Sequence, residues 1–327
     1  MRQQPYRSTN AFRIGVEAEV KAVATTSPGR SADQVRRQFL LQRFLVRVFS
    51  QSDSNWVLKG GTGLLVRIPG ARHSGDIDLL YPHREALLAE AVAELRRIAT
   101  QAPAGDYLRF DIADPQPRTG QDLDHVVAQL KVISYLGAAE YGSWFPIDLS
   151  MNQRTAEPVE RIQPKPIVAL PGSDPLPEFI LYPLSDQIAD KLCAMYCTYG
   201  SGRPSSRFRD LVDLALIVTT QPIDAARTAR ALRAEADRRG IELPDELTAP
   251  SPQWRAGYQR IASDTILPTH LQLLDTALLV VGRCLEPLLA AEISDGRWDP
   301  ELIYWETEIT NDDLGKDYRR RPAQVQA

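Results

Sequence analysis

Asp76 and Asp78, in Ser74-Gly75-Asp76-Ile77-Asp78-Leu79, are the strongest chemical signal in the sequence. On a strand, residues i and i+2 project from the same face, so the two carboxylates would stand side by side. Neighbouring carboxylates repel each other unless a cation lies between them. A hard divalent ion such as Mg²⁺ takes carboxylate and phosphate oxygens together, and paired ions clamp both reacting oxygens of a phosphoryl displacement. Upstream runs Leu58-Lys59-Gly60-Gly61-Thr62-Gly63-Leu64. A glycine turn between strand and helix brings backbone N–H groups and the Thr62 hydroxyl to a surface, which suits a phosphate oxygen. Alone, such a turn usually only reverses the chain. Beside an acidic pair it points to nucleotide chemistry.

A third carboxylate stands in Phe145-Pro146-Ile147-Asp148-Leu149-Ser150. Asp148 completes a metal-binding triad if its strand lies beside that of Asp76 and Asp78. Otherwise it is a capped or turn-side aspartate. A later cluster contains Lys191, in Asp190-Lys191-Leu192, and Arg207-Phe208-Arg209-Asp210-Leu211-Val212-Asp213. Arg207 and Arg209 have the planar fork that suits phosphate oxygens. Lys191 can neutralise charge that develops on a transferred group. Asp210 either orients Lys191 by an ion pair, assists proton transfer, or simply favours a helix start.

These groups need a frame. Ser31 followed by Gln34 has the form of a capping box, and Leu41, Phe44, Leu45 and Val48 continue it at helical spacing. The other face of that helix carries Arg36, Arg37, Arg43 and Arg47, which read as a solvated face rather than a phosphate-binding one. Trp56–Leu58, Ile77–Leu80, Tyr107–Ile112, Val126–Tyr135 and Trp144–Ser150 read as strands, and Glu85–Ala99 as a helix. The prolines crowded between Pro158 and Pro183 mark a loop-rich junction. Beyond it Ser185–Tyr199, Arg209–Thr219, Asp224–Arg239, Trp254–Ser263 and His270–Leu289 read as helices. The expected class is therefore α+β, a mixed-sheet domain followed by a helical C-terminal domain. The expected divisions are an extension over 1–30, the sheet domain over 31–170, the helical domain over 171–311 and a polar tail over 312–327.

The bulk numbers set limits. The chain has 327 residues, 43% hydrophobic and 24% charged, enough for a sizeable core. Its net charge of -4 means that a nucleic-acid partner would need a local basic patch. No apolar run reaches the roughly 18 residues of a membrane span, and Met1–Asn10 holds no apolar signal core. Three cysteines make no disulfide framework, and Cys193 and Cys197 read as inert thiols. The expected setting is the cytoplasm.

Lys59-Gly60-Gly61-Thr62, the Ser74–Leu79 segment, Lys191 and the Arg207–Asp213 segment together resemble the AbiEii/MenT nucleotidyltransferase toxins over about residues 35–220. The resemblance implies a DNA polymerase β-like nucleotidyltransferase fold that uses an NTP and Mg²⁺. Its mycobacterial branch adds pyrimidine nucleotides to the tRNA 3′ end, blocking aminoacylation and translation, under restraint by an antitoxin. It implies Asp76 and Asp78 as metal ligands, with Asp148 a looser match. Lys59, Gly60, Gly61, Thr62, Ser74, Arg207 and Arg209 would hold the nucleotide, and Lys191 and Asp210 would be the later catalytic pair. Thr62-Gly63-Leu64 departs from the more usual Thr-Ala-Leu, and glycine keeps the close approach. The rivals are transfer to a small molecule such as an aminoglycoside, and a non-catalytic RNA-binding module. RNA is favoured if Arg36, Arg43 and Arg47 converge with Arg203, Arg207 and Arg209 on one face, a track that Arg227–Arg239 could extend.

Overall fold

The computed structural model describes residues 6–26, 30–51, 54–82, 86–117, 126–151, 153–172, 175–199 and 202–307. Residues 312–327, expected as a polar tail, lie outside them, as does Glu85, the expected start of a helix. In chain order come α1 (Thr9–Thr26), α2 (Ala32–Phe49), β1 (Val57–Lys59), α3 (Gly60–Arg67), β2 (Ile77–Tyr81) and α4 (Leu88–Ala99). Strands β3 (Leu108–Ile112), β4 (Gln116–Pro117), β5 (Val126–Leu136), β6 (Ala139–Glu140), β7 (Phe145–Met151), β8 (Glu160–Ile162) and β9 (Phe179–Leu181) follow.

These nine strands form one mixed sheet in the order β3-β5-β7-β2-β1-β9-β8, with β4 and β6 paired to β5. The β2–β7 and β1–β9 pairs are parallel, and the others are antiparallel. The centre of the sheet is apolar because its strands are covered: Ile77, Leu79, Ile147 and Leu149 have no exposed surface. Helix α2 starts where its capping box announces, with the Ser31 hydroxyl accepting from the Gln34 N–H and the Gln34 side chain accepting from the Ser31 N–H.

The rest of the chain is largely helical. It holds α5 (Leu184–Tyr196), the hairpin β10 (Thr198–Tyr199) and β11 (Arg203–Pro204), and α6 (Phe208–Val218). Strand β12 (Ile223–Asp224), α7 (Ala225–Arg239), α8 (Trp254–Ala262), α9 (Leu274–Leu289), β13 (Arg297–Asp299) and β14 (Tyr304–Glu306) complete it. Strands β12, β13 and β14 make a small antiparallel sheet that the sequence did not announce.

Two apolar clusters divide the molecule. The first packs α1, α2 and α4 against the large sheet and reaches from Phe12 to Tyr182. It thus draws on α1 and on β9 as well as on the elements between them. The second gathers α5 to α9 with Trp298, and it also takes Leu64 of α3 and Ile68, the residue that ends that helix. Helix α3 is therefore shared: it begins on the sheet and ends in the helical core. No helix among the described residues is long and apolar enough to cross a membrane.

Candidate active site

The strand register builds a polar row. Lys59 on β1 stands opposite Asp78 on β2, Asp78 stands beside Asp148 on β7, and Asp148 stands opposite Gln129 on β5. Residues in register on adjacent strands share a face, so Lys59, Asp78, Asp148 and Gln129 cross four strands on one side. The strand of Asp148 does lie beside that of Asp78. Its Oδ1 accepts from Gln129 Nε2 at 2.7 Å.

Asp76 occupies the bend just before β2. Its Oδ1 accepts the Ser74 hydroxyl at 2.6 Å, and its carbonyl accepts the Thr62 hydroxyl at 2.6 Å. The Thr62 hydroxyl, expected to meet a phosphate, is here given to the Asp76 carbonyl. Thr62 is buried and holds the Asp76 backbone from behind the cleft. Gly60 is the tightest position. Its φ is +61°, the left-handed region, and a Cβ added there would fall 1.7 Å from Asp78 Oδ2. Only glycine lets the turn bend this way with the carboxylate against it. Gly61 is nearly as confined, since its Cβ would meet the Ser74 hydroxyl at 2.8 Å.

The opposite wall is basic and comes from the helical half. Lys191 on α5 contacts Asp213 at 2.5 Å and Asp210 at 3.4 Å. Arg207 Nε donates to the second oxygen of Asp210 at 2.6 Å. Arg72, on the segment between α3 and β2, grips Asp213 through Nε at 2.8 Å and Nη2 at 2.9 Å. Arg209 is exposed and lines the cleft. Lys59 lines it too, but its ammonium donates to Gln153 at 2.5 Å and lies 4.5 Å from the centre of the Tyr182 ring. Gln187, one turn before Lys191, donates to the Gly60 carbonyl at 2.9 Å and ties α5 to the turn. Asp76, Asp78, Asp148, Lys191, Arg207 and Asp210 all line one cleft of about 310 Å³.

The charges in this cleft are arranged to take up more. Burial pushes the Asp78 carboxyl up to about 7, with Asp76 and Asp148 adding to the rise and Lys59 and Lys191 opposing it. Among the described residues it accepts no hydrogen bond. A half-buried carboxylate pressed by two others and left without a donor is relieved by a cation. The all-oxygen donor set of Asp76 and Asp78 suits Mg²⁺ rather than a softer ion. No cluster of three His, Cys, Asp or Glu with metal-binding geometry occurs among the described residues. Phosphate oxygens and water would have to complete the shell, as they commonly do for Mg²⁺. Burial works to raise Asp210, but Arg207, Lys191 and Arg72 outweigh it and hold the carboxyl below its usual range.

The sequence alone assigns no role to Arg72, Asp213, Gln129, Gln187 or Asp190. Asp213 lies three residues beyond Asp210 on α6, a spacing that could have flagged it. The arginine face of α2, expected to be solvated, is engaged within the protein. Arg43 and Arg47 are buried and both reach the buried Asp106, at 3.0 and 3.3 Å. Arg36 is half-buried on Glu17 at 2.8 Å, and Arg37 donates to the Gly75 carbonyl at 2.9 Å. These arginines form no surface track with Arg207 and Arg209. The Arg203 side chain lies outside the described part. Cys193 is buried and Cys197 half-buried, both free thiols.

The sequence profile described as "Nucleotidyl transferase AbiEii toxin, Type IV TA system" matches residues 43–279. No curated protein matches the sequence. Among solved structures the chain is similar to MenT4, a nucleotidyltransferase toxin from Mycobacterium tuberculosis, at 20% identity and a TM-score of 0.48. That likeness covers 84% of this chain and 98% of the other. It is similar also to JHP933 from Helicobacter pylori, at 18% identity and a TM-score of 0.43, over 78% of this chain and 94% of the other.

Proposed function

The chain belongs to the AbiEii nucleotidyltransferase toxin family, and from that premise we propose that it transfers a nucleoside monophosphate from an NTP to the 3′ end of tRNA. On this reading a pyrimidine triphosphate is the donor, the blocked tRNA cannot be aminoacylated, translation stops in the cytoplasm, and a cognate antitoxin restrains the toxin.

The supporting observation is that an acidic pair, a glycine turn and a lysine–arginine wall face one another across a single cleft. The acceptor hydroxyl oxygen attacks the α-phosphorus, the bond to the bridging oxygen breaks, pyrophosphate leaves and the hydroxyl proton passes to water. Asp76 and Asp78 would hold Mg²⁺, which supplies positive charge to the reacting oxygens and lowers the pKa of the hydroxyl. Asp148, fixed by Gln129, stands next to them. Gly60 and Gly61 leave the backbone of the first α3 turn open to phosphate oxygens, with Ser74 beside it. Lys191, Arg207 and Arg209 meet the charge that builds on the departing group. Asp210, held ionised by its cations, serves as their counter-ion rather than as a proton acceptor.

The test is incubation of total tRNA with each labelled NTP, with Mg²⁺ or with chelator, using wild type and Asp76→Ala. The expected result is 3′ labelling from a pyrimidine NTP that disappears with chelator and with the variant. Equal labelling by a folded Asp76→Ala protein overturns the assignment. Transfer to a small molecule is the second reading, favoured because Arg36, Arg43 and Arg47 are engaged by acids instead of forming an RNA track. Label that stays off tRNA and appears on an aminoglycoside would establish it.

A further inference from the structure

Lys191 makes its shortest contact with Asp213 rather than with Asp210, the residue paired with it from the sequence. The Nζ–Oδ2 distance is 2.5 Å against 3.4 Å to Asp210 Oδ1, and the latter is at the limit of a hydrogen bond. The Asp213 side chain has no exposed surface and does not line the cleft, so it meets no substrate. Its other partner is Arg72, which takes both carboxylate oxygens in two parallel bonds. Such a fork fixes direction as well as distance.

The three residues come from three elements. Arg72 stands on the segment that leads to Ser74 and Asp76, Asp213 on α6, and Lys191 on α5. One buried carboxylate thus ties the acidic pair of the sheet half to the lysine of the helical half. The bond from Gln187 to the Gly60 carbonyl is a second tie between the same parts. Left to itself, a lysine ammonium on a four-carbon stem has many rotamers. The carboxylate between two cations selects one.

We infer that Asp213 and Arg72 are positioning residues for nucleotidyl transfer: Asp213 fixes the Lys191 ammonium on the cleft wall across from Asp78, and Arg72 fixes Asp213. The inference rests on the cleft being the transfer site. Asp213 carries none of the chemistry, and Arg72, although it reaches the cleft lining, commits Nε and Nη2 to Asp213. They set the distance between the basic and acidic walls across the junction of the two apolar cores, and a displacement of about 1 Å in such a site costs about 100-fold in rate.

The test uses the full chain and Asp213→Asn, which keeps the volume and removes the charge. Transfer kcat is expected to fall about 100-fold, while the KM for NTP stays within about threefold, since phosphate contacts remain. The double variant Asp213→Asn with Arg72→Gln should be no slower than the worse single variant, because the two act as one unit. A second measurement needs no transfer. Acylation of Lys191 by an amine-reactive ester, read by mass spectrometry, should rise several-fold in Asp213→Asn, and less in Asp210→Asn. Should Asp213→Asn fail to fold, Arg72→Lys keeps the charge without the fork and should raise Lys191 labelling more modestly. Unchanged Lys191 labelling in a folded variant, or losses in kcat that add in the double variant, overturns the inference. If wild type transfers nothing to any acceptor, the transfer reading fails while the labelling still decides whether Asp213 places Lys191.

Discussion

Replacing Gly60 with alanine should unseat Asp78. Two costs follow from the structure. The backbone at residue 60 has a φ of +61°, and an L side chain in that region costs about 1–2 kcal/mol. The added Cβ would also lie 1.7 Å from Asp78 Oδ2 and 2.5 Å from its Cγ, inside the 3.0 Å that real Cβ contacts respect. The carboxylate therefore has to retreat by roughly 1 Å or more, enough to cost about 100-fold in transfer. Strand β2 cannot follow, because Asp78 is held in register between Lys59 and Asp148. Gly105→Ala is the control: its φ is +78° and nothing lies within 4 Å of the new Cβ. It should show the same backbone cost of about 1–2 kcal/mol in urea unfolding and keep its transfer rate. Steady-state incorporation of labelled NTP alongside urea melts measures both. A Gly60→Ala protein with wild-type turnover, or a Gly105→Ala protein that loses as much turnover, would refute the reasoning.

Thr62→Val removes the hydroxyl that holds the Asp76 carbonyl. It should cost about 1 kcal/mol in stability and lower kcat. A rise in the KM for NTP at unchanged kcat would instead put the hydroxyl on the triphosphate. Arg47→Met leaves Asp106, whose side chain is fully buried, with one cation instead of two. Unfolding free energy should fall by about 3–5 kcal/mol, while tRNA affinity measured by fluorescence anisotropy stays as it was. Burial pushes Asp186 up to about 6, against backbone bonds from Ala156 and Glu157 that pull it down. The folded state then holds a proton between about pH 4 and 6 that the unfolded state has lost, so this group favours folding at pH 5 relative to pH 8. Urea midpoints should show wild type gaining on Asp186→Asn as pH falls from 8 to 5, and a gap independent of pH would exclude the effect.

What was legible in the sequence was local. The capping box and apolar spacing of α2, the alternation of β7 and the helical patterns of α5 and α6 identified their elements to within a few residues. The acidic pair was legible because residues two apart in extended chain need no partner to define their face, although Asp76 stands on the bend just before β2 and only Asp78 lies on the strand. The proline-rich stretch was read as loop, although Phe179-Ile180-Leu181 is a buried strand that pairs with β1 next to the glycine turn. Proline density outweighed a three-residue apolar run, and a strand that short has no period to recognise. His270–Leu289 was read as one helix. It is instead a 3₁₀ turn at Thr269–Gln272 followed by α9.

The roles of charged residues were the least legible, for one physical reason. A side chain's neighbours within four residues reveal its helix face, but its counter-ion decides whether that face is wet. Asp106 lies 63 residues from Arg43, and Asp213 lies 141 from Arg72. Without those partners, an arginine stripe on α2 reads as solvent-exposed and Arg72 as an ordinary loop residue. With them, the stripe becomes a buried clamp on Asp106, and Arg72 becomes the link between the halves of the site. The same reasoning shifts the search for an acceptor surface. Arg227 and Arg230 of α7 are exposed even while they reach Glu157 at 3.8 and 2.8 Å, and Arg209 stands exposed at the cleft. An acceptor with a phosphate backbone has to be met by arginines that keep donors toward water, and the buried Arg43 and Arg47 of α2 do not.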